Sequence, residues 1–106
     1  MKGKIHRKFI MEGGRQSERR IVAICDAELL GNVFEEGDLI LDLKKYRSFY
    51  EGERVTVAKV IEMVQSSGNI NLVGKKAIAA ASKAIAIDEK SIMKIKGVPH
   101  LQIYQV

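Results

Sequence analysis

The stretch Arg19-Arg20-Ile21-Val22-Ala23-Ile24-Cys25-Asp26 encloses an unbroken apolar run between charged ends. A run this short, with no polar residue alternating through it, reads as a strand covered on both faces. Within residues 4–11, Ile5, Phe9 and Met11 share one parity while Lys4, His6 and Lys8 share the other. That is the pattern of a half-buried strand with a basic outer ridge, interrupted by Arg7 on the apolar side. Turn formers across 12–18, including Gly13 and Gly14, join the two into a hairpin.

Downstream, Asp26 precedes Ala27-Glu28-Leu29-Leu30 as the cap of a short helical turn that Gly31 ends. Glu35-Glu36-Gly37-Asp38 predicts a turn, and residues 39–43 a third strand. Residues 44–53 have no period and read as a loop carrying Tyr46, Phe49 and Tyr50. After Thr56, Val57, Val60, Ile61 and Val64 recur at helical spacing until Ser66-Ser67-Gly68. The stripe Val73, Ala77, Ala81, Ala84 and Ile85 predicts a second helix beginning at Asn69 or Asn71. Next come a turn at 88–91, a strand at 92–95, a bend at Lys96-Gly97-Val98-Pro99 and a last strand at 101–105.

Strands and helices that segregate rather than alternate predict an α+β fold, a two-layer sandwich of a mostly antiparallel sheet with helices packed on one face. A length of 106 residues, 46% hydrophobic and 29% charged, suits one domain spanning 1–106. No apolar run approaches the roughly 18 residues of a membrane helix, and no signal-type segment follows Met1, so a cytoplasmic protein without membrane attachment is expected. The single cysteine excludes an internal disulfide. With His6 and His100 far apart in sequence, no metal or cofactor is expected.

The net charge of +5 is segmental: residues 1–20 hold seven Lys and Arg against two Glu, and the rest of the chain carries eleven of each sign. Lys4, His6, Lys8, Arg15, Arg19 and Arg20 could therefore line a nucleic-acid backbone, with Lys as point charge and Arg as fork. They could equally protect a strand edge or be cancelled by the acidic middle of the chain. In Gly97-Val98-Pro99-His100, the glycine and proline shape a bend, and His100 either locks it by hydrogen bonding or serves as a proton donor, phosphate contact or base. Cys25, just before a helix start, is either a small core residue or a thiol activated by the helix dipole and paired with His100. Lys75-Lys76 after Gly74 lacks phosphate-loop spacing, and no GxSxG or HExxH occurs.

The segments Cys25-Asp26-Ala27-Glu28-Leu29-Leu30-Gly31, Asn71-Leu72-Val73-Gly74-Lys75-Lys76-Ala77 and Gly97-Val98-Pro99-His100-Leu101-Gln102 resemble signature stretches of a small archaeal family, domain of unknown function 424. The resemblance implies a two-layer α+β domain in an archaeal cytosol and no established activity. It marks Cys25, Asp26, Leu30, Gly31, Asn71, Gly74, Gly97, Pro99, His100 and Gln102 as candidate site residues. Three functions stand as expectations. The first is a non-enzymatic module that binds RNA or a ribonucleoprotein through the basic hairpin, with Tyr46, Phe49 and Tyr50 stacking on bases. The second is a protein-interaction or self-associating subunit, and the third a small enzyme using Cys25 or His100.

Overall fold

A computed structural model describes residues 1–104. The strands are β1 (Lys2–Glu12), β2 (Arg15–Cys25), β3 (Val33–Glu36), β4 (Leu39–Asp42), β5 (Glu53–Arg54), β6 (Asn69–Val73), β7 (Met93–Ile95) and β8 (Val98–Ile103). The helices are α1 (Arg47–Tyr50), α2 (Val57–Gln65) and α3 (Lys75–Ala81), with 3-10 turns at Ala27–Leu29 and Glu89–Ser91. Six strands form one sheet in the order β5-β1-β2-β6-β8-β7, and β3 and β4 pair separately. The fold is α+β, and every neighbouring pair is antiparallel except β2 with β6.

The apolar run of β2 lies inside the sheet, and Val22, Ala23, Ile24 and Cys25 are fully buried. Alternate residues face opposite layers. Val22 and Ile24 join Ile70, Leu72 and Leu101 against Val60 and Val64 of α2 and Ala77 and Ala81 of α3. Ala23 and Cys25 join Val73 against Leu41, Leu43 and Tyr50. Helices α2 and α3 thus cover one face, while the β3–β4 hairpin and α1 cover the other. Thr56 caps α2 as its spacing predicts, its hydroxyl accepting the Lys59 N–H at 3.2 Å.

The structure corrects several expectations. Residues 69–73 are strand rather than the start of a helix, because the slot between β2 and β8 takes an extended segment buried on both faces. The helix begins only at Lys75, after Gly74 turns the chain with φ of 106°. Phe9 and Met11 are 62% and 70% exposed, because neither covering layer reaches the outer half of the β1–β2 hairpin. The 33–36 segment is a strand, and the supposed loop at 44–53 contains α1 and β5.

The bend before the last strand lies earlier than the proline. Lys96 and Gly97, with φ of 52° and 78°, turn β7 into β8, and Val98, Pro99 and His100 already belong to β8. The Val98–Pro99 bond is trans. Pro99 is tolerated in a strand because its carbonyl accepts the Gly74 N–H at 2.9 Å, while the Gly74 carbonyl that would face its missing N–H accepts Ile78 N–H instead. Gln105, the predicted end of this strand, lies outside the described residues.

Asp26 occupies the N-cap position of the 3-10 turn but makes no side-chain hydrogen bond there. Its carboxylate reaches across to the start of α3, accepting Lys76 N–H at 3.1 Å and Ala77 N–H at 2.8 Å. The residue expected to cap its own turn caps a helix fifty positions later.

Candidate functional site

Strand alternation brings Asn71 on β6 and His100 and Gln102 on β8 to the face that carries the β3–β4 hairpin, with Asn71 directly opposite Gln102. Between them and Leu41, Leu43, Tyr46, Phe49 and Tyr50 lies a cavity of about 620 Å³. Asn71 is 9% exposed, and its Oδ1 is the hub: Tyr50 Oη donates to it at 2.7 Å and His100 Nε2 at 3.0 Å. In neutral His100 the proton therefore sits on Nε2, leaving Nδ1 as an acceptor. Burial lowers the His100 pKa from its ordinary 6.5 and raises that of the Tyr50 phenol.

The histidine shift has a consequence for stability. The unfolded chain takes up a proton at its ordinary value of 6.5, while folded His100 resists protonation to a lower pH. Its contribution is complete above about pH 7, falls as pH drops through the unfolded value, and levels once the folded group also protonates. Melting temperature measured against pH is expected to fall across this window, and His100→Gln to flatten the fall. An unchanged profile in the variant would show that other groups carry it.

The basic candidates divide between the two faces of the hairpin. Lys4, His6, Lys8, Arg15 and Arg19 lie on the cavity side, where Lys8 stands directly opposite Arg19. Arg7 and Arg20 form the same like-charged pair on the helix side, but Glu18 lies 3.5 Å from the first and 2.9 Å from the second. Arg19 reaches Glu12 at 3.4 Å, whereas Lys8 and Arg15 have no acidic partner among the described residues. His6 stacks on Phe49 with ring centroids 4.4 Å apart, and its Nε2 meets the Phe49 carbonyl at 2.8 Å. Lys4 Nζ donates to the Ser48 carbonyl at 3.3 Å. These contacts tie α1, and with it the cavity wall, to the basic hairpin.

The profile described as "Protein of unknown function (DUF424)" matches residues 15–106. The chain belongs to the DUF424 family. It is also similar to a solved structure, the crystal structure of an uncharacterized conserved protein from Methanopyrus kandleri, at 26% identity and a TM-score of 0.64 over 94% of this chain and 90% of that one. No curated protein matches the chain.

In this DUF424 protein the matched segment holds Asn71, His100 and Gln102 and begins after β1, which supplies Lys4, His6 and Lys8. Of the other marked residues, Asp26 and Gly74 meet at the start of α3, where Pro99 also contributes its carbonyl. Gly97 forms the β7–β8 turn, and Gly31, with φ of 84°, ends the 3-10 turn through an N–H bond to the Leu43 carbonyl. Leu30 packs against the cluster around Cys25. Lys76 pairs with Glu28 at 3.0 Å.

Cys25 and His100 share a face but are separated by Val73 on the intervening strand, two strand spacings or roughly 10 Å apart. The Cys25 thiol donates to the Asp26 carbonyl at 3.3 Å, and burial, reinforced by Asp26, pushes its pKa up to about 12. Of the two readings of this thiol, the structure shows the small core residue and not the one activated by a helix dipole and paired with His100. A thiol reagent at neutral pH is expected to label Cys25 only as the protein unfolds. Fast labelling of the folded protein would contradict its burial.

Among the described residues no three His, Cys, Asp or Glu side chains gather to hold a metal ion, and no helix is long and apolar enough to cross a membrane. Sequence pattern does not reveal the cavity, because it predicts a helix over Asn71 and nothing local sets Leu41 and Tyr50 against the sheet. The alternation Asn69-Ile70-Asn71-Leu72 was the one local signal for the strand.

Proposed function

We propose that this protein is a non-enzymatic, cytoplasmic RNA-binding module that takes a single strand along the cavity side of its basic hairpin. The observation that carries this reading is Lys8 opposite Arg19 on the same face as Arg15 and the His6–Phe49 stack. Like charges held directly opposite on a strand pair repel, and a polyanion laid between them reverses the sign of that interaction. The exposed arm is long enough to matter: β1 and β2 pair over eleven positions, and residues 11–20 are all exposed. Aromatic groups next to the cations suit single-stranded RNA, whose bases are free to stack.

The test is a titration of labelled single-stranded RNA over a series of salt concentrations. Each phosphate contact to a single strand contributes a slope of roughly 0.7 in log affinity against log salt, so four cations predict about 3. Absent binding, or binding indifferent to salt, would sink the proposal.

A further inference from the structure

We infer that the cavity between β4, α1 and the sheet receives one unstacked nucleobase of the bound strand. This rests on the RNA-binding reading above and adds to it a site for the base rather than the backbone.

The polar groups of the cavity are the first argument. Asn71 Oδ1 is saturated by Tyr50 and His100, but its amide N–H groups form no hydrogen bond with the described residues. Among the described residues no buried side-chain nitrogen or oxygen lacks a partner, which leaves these donors open to the cavity that Asn71 lines. Gln102, directly opposite on β8, adds a second amide with donors and an acceptor. His100 Nδ1 adds another acceptor. Lys45 and Asp42 also line the cavity, the Asp42 carboxylate accepting the Lys44 and Lys45 backbone N–H groups. Donors and acceptors side by side among the apolar groups of the wall are what the edge of a heterocyclic base requires, and a wall of hydrocarbon alone would not orient it.

Shape and position are the second argument. About 620 Å³ falls within the range of small-ligand sites, so a planar base enters without displacing the core. Tyr46 is 55% exposed at the cavity wall, with Lys45 Nζ 5.5 Å from its ring centroid, offering a ring face and a cation beside it. Lys4 and His6 lie between the outer cations of the hairpin and this wall, bonded to the backbone of Ser48 and Phe49. A strand whose phosphates follow Lys8 and Arg19 therefore arrives at the cavity without crossing an acidic surface of the hairpin.

The test compares an RNA oligonucleotide with a fully abasic strand of the same length, for the wild type and for Tyr46→Ala/Gln102→Leu. Both altered side chains are exposed, which leaves the core intact. Base stacking predicts that the wild type prefers the intact strand by about tenfold or more. The double variant should lose that preference while its salt slope stays unchanged. Equal wild-type affinity for both strands, or a variant that keeps the preference, overturns the base site and leaves backbone binding standing. Absent binding of either strand overturns both proposals. Free nucleoside monophosphates that bind as tightly as the oligonucleotide overturn the link to RNA and make the cavity a site for small molecules.

Discussion

Gly74→Ala is expected to remove roughly 3–5 kcal/mol of stability, read as a large fall in the midpoint of urea unfolding. Gly74 holds φ at 106°, a conformation an alanine enters only with strain of about 1–3 kcal/mol. Its missing Cβ also leaves the space taken by the Asp26 carboxyl group, so an added methyl would run into that group. Asp26 is 4% exposed and accepts two backbone N–H groups of α3. Hydrogen bonds to a charged group contribute about 1.5–3 kcal/mol each, and displacing the carboxylate weakens both. Against a total of about 5–15 kcal/mol for an ordinary domain, the loss is a substantial part of the whole. Asp26→Ala at the same junction should cost about 3 kcal/mol, since it removes both bonds of the cap without straining Gly74. An alanine at 74 that leaves the midpoint unchanged would mean the carboxylate has another place to go, contrary to the contact described.

Lys8→Glu combined with Arg19→Glu is expected to weaken RNA binding by roughly thirtyfold or more and to lower the salt slope by about 1.4. The pair stands directly across the hairpin, so reversal turns the centre of the cationic face acidic. Reversal of Arg20 gives the contrast. That residue lies on the opposite face and is engaged by Glu18 at 2.9 Å, so its reversal should have a several-fold smaller effect. All three positions are exposed, and folding stability should change by less than about 1 kcal/mol in either variant. Equal losses from the two reversals would show that net charge, rather than the cavity-side face, governs binding.

The local pattern went furthest where burial and alternation agreed. Residues 21–25 were legible as an interior strand because five apolar residues without a polar break leave no face for water. The Thr56 cap and the stripe of α2 were equally plain, since both depend on neighbours within a turn or two. Alternation failed in the outer hairpin, where Phe9 has a strand's parity but no layer above it. Helical spacing holds only for Ala77 and Ala81 within α3 (Lys75–Ala81): Asn71 and Val73 at its start belong to β6, and Ala84 and Ile85 lie past its end. The extended backbone of Asn71 is set by β2 and β8, far away in sequence.

The candidate site divides the same way. The amino-acid sequence alone determined the α+β class, the central strand, the concentration of positive charge in one hairpin and the distinctiveness of the segments holding Asn71, His100 and Gln102. These depend on composition and on periodicities that act between near neighbours. Only the tertiary structure decided that Asp26 caps α3, that Cys25 is sealed away from His100, that Arg20 faces apart from Lys8 and Arg19, and that Tyr50 and His100 meet on one amide oxygen. Each of these depends on strand register and on which layer covers which face, and both are settled by packing between segments from eleven to seventy-five residues apart.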